Sequence, residues 1–398
     1  MRSVSAPVAR RPGVHTVQRV GALDVIVKPS PVAMVWNEPG RPHDAIAAPG
    51  VRLSPGEALV EVELATVCES DVRMVRGERP VTTPLVLGHE QVGRVVAIGE
   101  GAMRSDGVPL ELGDRVVWSV TVSCGECDRC LRGLPQRCRS LAKYGHERVH
   151  RGWELSGGFA THVQLRAGTE VVRVSEEVPS RVLAPASCAT ATALAALDAA
   201  SARVDLDGAG VLVTGAGLVG ITAAAMALEA GAQVVVSDPD AARRAFVRGF
   251  GALTADPAAR PPSPERLATA LATLEARGVP EVLVAVETTG VPQSVHTAVG
   301  ALGVGGVAVL VGNVPPGSEV CLDPASLTRR LVTISAVHDY TGAQLRRAVA
   351  FLERAWRTVP FDELVGATHP LAEVDDAIAE AATGEFVRVG VAPGRRPV

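Results

Sequence analysis

The sequence predicts an α/β chain of two domains, one β-rich and one built on a doubly wound parallel sheet. Three observations predict it. At 398 residues the chain is long enough to bury two separate cores. Residues 32–185 alternate short β-rich runs with Gly/Pro turns, whereas from about Ala184 the texture becomes Ala/Val-rich and alternates strand with helix. A glycine-rich turn, Gly215-Ala-Gly217-Leu218-Val219-Gly220, then stands between a strand pattern and a helix pattern.

Taken in order, residues 1–31 hold Arg2, Arg10, Arg11 and Arg19 among Pro and Ser. They have no uninterrupted apolar run, so they read as a flexible tail and not as a secretion signal. The first domain, 32–185, opens on the strand-like Val32–Trp36. It continues through Leu59–Ala65, Gln91–Ile98, Arg115–Val120 and Gly158–Leu165, the texture of an antiparallel or barrel-like sheet. The second, 186–335, holds near-continuous apolar strands at Val211–Thr214, Gln233–Ser237, Val282–Val286 and Val307–Val311. Strands of that kind are buried on both faces and belong to parallel sheets. The Pro-rich piece Asp256–Pro264 reads as a surface connection. The last segment, 336–398, has a helix around Leu345–Arg354 and then Pro360 and Pro370, and is expected to return to the first domain.

Composition excludes two partners. The formal charge is −4, and the 39 basic residues form no block, so no nucleic-acid surface is expected. The uncharged stretch Gly208–Leu228 is long enough to span a bilayer. Gly215, Gly217 and Gly220 interrupt it and no basic flank anchors it, so it reads as a buried strand and helix, with no membrane partner.

The glycine turn predicts a Rossmann dinucleotide site. Gly215 permits the tight turn, Gly217 lets the backbone approach a pyrophosphate, and Gly220 allows helix–strand packing. The helix N-terminus beginning at Leu218 and Val219 offers unpaired N–H groups to the phosphates. Asp238 follows 18 residues after Gly220, at the end of the next strand. A carboxylate there accepts a ribose 2′-hydroxyl and repels a 2′-phosphate, which favours NAD over NADP. The other use of Asp238 is to cap the helix that follows.

Cys124-x2-Cys127-x2-Cys130-x7-Cys138 is the strongest single motif. Four thiolates on a short loop can wrap one tetrahedral Zn²⁺, and a closed thiolate shell makes that zinc structural. Disulfides and an iron–sulfur cluster are the other uses of four cysteines. Cys68, His89 and Cys188 form a second set only if the fold gathers them. Two thiolates and an imidazole would leave a fourth zinc position open, the catalytic arrangement. Cys321 is left over and reads as a buried apolar residue.

These motifs together make the chain resemble the zinc-dependent medium-chain alcohol dehydrogenases, from about Met34 to the C-terminus. The resemblance rests on Cys68-x-Ser70-Asp71, Gly88-His89-Glu90, the Cys124–Cys138 lobe, Pro185-x-x-Cys188, Gly215–Gly220 and Gly384-Glu-Phe-Val-Arg388. Within that family four stretches look like the phosphonate-catabolism-associated subgroup. They are Gly113-Asp-Arg-Val-Val-Trp-Ser-Val, Lys143-Tyr-Gly-His-Glu, Ala184-Pro-Ala-Ser-Cys-Ala-Thr-Ala-Thr and Val337-His-Asp-Tyr.

The resemblance implies a GroES-like catalytic domain, a Rossmann domain and a catalytic zinc in the cleft between them. It makes Cys68, His89 and Cys188 the ligands of that zinc, with Glu90 beside the metal. It gives Ser70 the substrate proton and Asp71 the orientation of the ligand histidine. Arg243 would flank the adenosine ribose and Arg388 would reach the pyrophosphate. The implied enzyme carries two zinc ions per chain and uses NAD. It interconverts a secondary or functionalised alcohol and its carbonyl by hydride transfer, as a cytoplasmic homodimer or homotetramer.

Two departures stand out. Many relatives end their proton relay at a histidine five residues past the first ligand, where this chain has Arg73, which cannot act as a base. His146 and His150 are the candidate substitutes. Glu69 occupies a place that relatives give to other residues near the pyrophosphate, and is expected to turn aside. Ser70, Val120, Trp118 and residues near Trp153 are the expected pocket lining. Alternatives on the same scaffold are a biosynthetic carbonyl or imine reductase and a zinc-independent quinone or enoyl-type reductase. A non-catalytic interaction module is the remaining alternative.

Overall fold

The computed structural model describes residues 16–21, 23–260, 263, 265–312 and 317–393. It divides into two compact units, Met1–Cys188 with Asp362–Val398, and Ala189–Phe361.

The first unit is organised around the strand Ala58–Val67. Glu90–Ile98 and His162–Leu165 pair with it antiparallel, and so does Arg388–Ala392, which in turn runs parallel to Val365–Pro370. Arg115–Val122 continues the sheet beyond Glu90–Ile98 and takes Ala142–Lys143 and Thr169–Arg173 as further partners. All of Arg115–Val122 is buried, consistent with its run of β-branched residues and Trp118. Trp36, Trp118, Tyr144, Trp153 and Phe159 fill the core that this sheet covers. Of the residues expected to line the pocket, Trp118 and Val120 are buried, at 0% and 2% exposure.

Thr16–Arg19, Asp24–Lys28 and Gly50–Arg52 form a small antiparallel sheet. Val25, Val27 and Val51 pack beneath it against Leu53, Leu59 and Leu155. The tail expected over 1–31 is thus structured from Thr16 wherever it is described, and residues 1–15 lie outside the described residues. The signal was the alternation in Asp24-Val-Ile-Val-Lys28, short and set among loop-forming residues.

The second unit holds six parallel strands. Their order across the sheet is Leu253–Ala255, Gln233–Ser237, Gly210–Thr214, Val282–Glu287, Leu302–Leu310 and Thr333–Ala336. In chain order this is third, second, first, fourth, fifth, sixth, the doubly wound dinucleotide-binding arrangement. The strands not expected are the two at the edges, where half the surface is solvated and the apolar run shortens. Gly208–Leu228 resolves into the strand Gly210–Thr214 and the start of the helix Leu218–Glu229. No single described helix is long and apolar enough to cross a membrane.

The unit ends at Phe361, not at 335. Helix Gly342–Ala355 stays with it because Leu345, Ala348, Val349 and Leu352 line one buried stripe. Asp198 on helix Ala189–Ser201 also accepts from Gln344 (3.1 Å) and Arg347 (2.7 Å). The return to the first unit falls instead on Val365–Pro370 and Arg388–Ala392.

Candidate metal centre and dinucleotide turn

Strand register assembles the first site. Thr66 lies opposite Glu90 on one side, and Val67 lies opposite Val389 on the other. Cys68, His89, Glu90 and Arg388 therefore emerge at one end of the sheet. Cys68 caps the helix Glu69–Val75, and its N–H donates to Asp71 Oδ2 at 2.9 Å. The other Asp71 oxygen accepts from Gly88 N–H (3.4 Å) and lies 3.4 Å from His89 Nδ1. One buried carboxylate thus fixes two candidate ligands and turns His89 Nε2 toward the site. Cys188 arrives on a short helical turn, Ala184–Ser187, which is pinned by Ser187 Oγ donating to the His89 carbonyl (3.1 Å).

One donor atom from each of Cys68, His89, Glu90 and Cys188 lies within 4.8 Å of the others. Cys68 is the stronger acid of the two thiols: the Cys188 thiol donates to it, outweighing burial, and Arg388 adds to the effect. Cys188 is pushed up correspondingly. Burial opposes the His89 imidazolium, but Asp71 more than offsets it and holds His89 up to about 10. A soft, buried set of two thiols and one imidazole with a carboxylate at hand fits Zn²⁺.

Arg388 also stands at this centre. Its guanidinium meets Glu90 in two bonds, Nε to Oε2 (2.8 Å) and Nη2 to Oε1 (3.0 Å). Nη2 also lies 3.7 Å from Cys68 Sγ, and Nη1 donates to the Val387 carbonyl (2.9 Å). Thr66 Oγ1 completes the Glu90 shell at 2.6 Å. The register of its strand buries this arginine beside the candidate metal ligands.

Ser70 Oγ stands 3.4 Å from His89 Nε2. Of the two candidate histidines, His146 has its ring 5.0 Å from that of His89, while the exposed His150 stacks near Trp153 at 5.9 Å. Glu69 turns to Arg73, one helical turn on, at 3.3 Å.

The cysteine lobe is equally well formed. Cys138 Sγ lies 3.4 Å from Cys124 Sγ, and Cys127 Sγ lies 3.5 Å from Cys130 and 3.9 Å from Cys138. A ZnS₄ tetrahedron with bonds of about 2.3 Å has edges of about 3.8 Å, whereas a disulfide would need about 2.05 Å. All seven cysteines are free, which removes the disulfide alternative. Burial raises the Cys138 thiol, but the Cys124 N–H and Ser140 outweigh it and bring the thiol to about 6. Cys321 is exposed and not buried, a correction to its reading as core.

In the second unit Gly215 has φ +99°, and a Cβ there would lie 2.7 Å from Thr288 Oγ1. A Cβ on Gly220 would lie 1.9 Å from the Gly215 carbonyl oxygen, whereas one on Gly217 would meet nothing within 4 Å. Two glycines are thus needed for packing, and the third leaves open space at the helix N-terminus, as a pyrophosphate requires. Asp238 Oδ2 accepts from Ala216 N–H inside this turn at 2.7 Å, and Arg243 Nη1 reaches the Ala216 carbonyl at 3.4 Å.

Comparison with known proteins agrees with this geometry. The Alcohol dehydrogenase GroES-like domain matches residues 54–176, and the Zinc-binding dehydrogenase domain matches residues 219–354. A geraniol dehydrogenase from Castellaniella defragrans is 30% identical over 378 residues, 89% of this chain and 96% of that protein. An erythritol/L-threitol dehydrogenase from Mycolicibacterium smegmatis is 34% identical over 164 residues, 37% of this chain and 43% of that protein. Among solved structures, an alcohol dehydrogenase from Thermotoga maritima superposes with a TM-score of 0.83 at 28% identity, covering 91% of this chain and 99% of that one. The chain belongs to the zinc-type medium-chain alcohol dehydrogenase family. It is a zinc-dependent oxidoreductase that interconverts alcohols and carbonyls with a nicotinamide dinucleotide.

Proposed function

We propose that the chain oxidises a secondary or functionalised alcohol with NAD⁺, and runs the reverse reduction, at the Cys68–His89–Cys188 centre. The observation that carries this reading is the convergence of two thiols, one imidazole and Glu90 within 4.8 Å. Cys68, His89 and Cys188 would hold a catalytic zinc, and Cys124, Cys127, Cys130 and Cys138 a structural one. Zinc in the first site supplies a Lewis acid that brings a substrate hydroxyl toward ionisation near neutral pH. NAD at the Gly215–Gly220 turn supplies the hydride acceptor. Ser70 Oγ takes the substrate proton, standing 3.4 Å from His89 Nε2. Arg73 cannot receive it, because a guanidinium stays protonated, and its Nε is paired with Glu69.

Asp238 reads the ribose, and its carboxylate disfavours a 2′-phosphate. Arg388 we assign to the metal centre, where it orients Glu90 and opposes the burial that raises its carboxyl. Within the family, the four stretches quoted above support placement in the phosphonate-catabolism-associated subgroup. The lobe of free cysteines suits a cytoplasmic, reducing compartment. A homodimer or homotetramer is supported by the edge strand Thr333–Ala336. Among the described residues it pairs on one side only, with Leu331 and Ile334 exposed there.

The test is an NAD⁺-reduction screen over hydroxyalkylphosphonates, polyols and cyclic secondary alcohols, run with zinc analysis. Cys68→Ser and His89→Ala should each abolish turnover and lose one of two zinc ions while NADH binding persists. Turnover by a zinc-free double variant would refute the reading.

A further inference from the structure

Asp238 is gripped from behind. It opens the turn Asp238-Pro239-Asp240 after the strand Gln233–Ser237, and Arg244 on the helix Ala241–Arg248 closes over that turn. The Arg244 side chain is 4% exposed. Its Nη1 donates to the carbonyls of both Asp238 and Pro239 at 2.8 Å. Its Nη2 donates to Glu265 Oε2 at 2.5 Å and lies 3.5 Å from Asp256 Oδ2. The helix does not need this residue to begin, because Asp240 already caps it by accepting from Arg243 N–H at 2.9 Å. Among the described residues Arg244 Nε has no partner, so the guanidinium is placed for the two carbonyls and not for its own full satisfaction.

The Asp238 carboxylate faces the other way. Oδ2 accepts from Ala216 N–H in the glycine turn (2.7 Å) and Oδ1 from Asp240 N–H (2.8 Å). The backbone of one residue is therefore clamped while its carboxylate is presented to the dinucleotide turn. Arginine cannot shed its charge, and a buried cation is tolerated only against fixed acceptors. Asp256 and Glu265 supply that countercharge from the two ends of the Pro-rich connection, which are joined by Asp256 N–H to the Glu265 carbonyl (2.6 Å).

We propose that Arg244, backed by Asp256 and Glu265, is a positioning residue for cofactor selectivity. It fixes the Asp238 backbone so that the carboxylate stays where a ribose 2′-hydroxyl is accepted and a 2′-phosphate is refused. The proposal rests on the assignment of Asp238 to the adenosine ribose, and it gives Asp256 and Glu265 a function beyond connection.

The test is binding of NADH and NADPH to the full chain, followed by nucleotide fluorescence. The variants are Arg244→Met, Arg244→Lys, Glu265→Gln and Asp238→Ser. The wild type should prefer NADH. Arg244→Met should shrink that preference at least tenfold, Arg244→Lys should retain most of it, and Glu265→Gln should fall between. An unchanged preference, or equal weakening of both nucleotides, would overturn the clamp. If Arg244→Met does not fold, the milder Glu265→Gln decides by the same ratio. A wild type without preference, or Asp238→Ser that keeps it, overturns the Asp238 assignment and the clamp with it.

Discussion

Asp71 and Gly88 are the residues on which the metal centre turns. Asp71 touches the Cys68 N–H, the Gly88 N–H and the neighbourhood of His89 Nδ1. It thereby converts two ligands that are remote in sequence into one rigid pair. Gly88 permits this because it holds φ +88°, and a Cβ there would come within 2.8 Å of both the Phe159 backbone nitrogen and its ring. Gly88→Ala should cost roughly 2–4 kcal/mol, from left-handed strain and overpacking together. Urea unfolding measures it, and a loss below about 0.5 kcal/mol would mean that the turn relaxes freely. Glu90 shows how burial and pairing compete at one site. Desolvation pushes its carboxyl up and Arg388 opposes the shift, so the pair stands or falls together.

At the scale of elements, the cysteine lobe is a loop with little core of its own. The short helix Asp128–Leu131 and the turn Pro135–Arg137 bury no residue, and Leu131 is 76% exposed. Such a segment would owe its order to metal ligation and not to packing. Cys127→Ser should therefore release one zinc per chain and lower the melting temperature while sparing the zinc at the Cys68 centre. Metal analysis with a thermal scan checks this, and retention of both ions refutes it.

The helix Val374–Ala381 offers a pH-dependent contact. His369 Nε2 lies 2.6 Å from Glu380 Oε2, and Nδ1 lies 3.5 Å from Glu373 Oε2. The Glu380 bond raises His369 above its usual value, burial opposing, and Glu373 adds to the rise. A raised folded pKa means that the stabilisation is fully present below about 6.5, the unfolded value, and is lost as pH rises through the folded one. His369→Gln should thus destabilise the chain more at pH 6 than at pH 9. Equal effects at both pH values would exclude the pair as the cause.

For the whole molecule, the residue types and their spacing carried most of the chemistry. The four-cysteine lobe was legible because its ligands sit within fifteen residues on one loop. The glycine turn was legible because strand, turn and helix are consecutive. The central parallel strands could be read from apolar runs, since burial on both faces removes polar alternation. Edge strands escaped for the opposite reason, being short and half solvated. The division at 361 escaped because helix Gly342–Ala355 is amphipathic in either context, and only its packing against Ala189–Ser201 assigns it to the second unit.

The sequence by itself determined the donor types, the cofactor class and the two-domain plan, because each of these resides in local pattern. Only the tertiary structure decided which residues stand together. Strand register brought Arg388 to Glu90 and Cys68 across more than 290 positions, and it sent Trp118 and Trp153 into the core. It also set Arg244 behind Asp238, a contact that no local motif announces. Register and packing are settled by which apolar faces must be buried together, and that is a property of the whole chain.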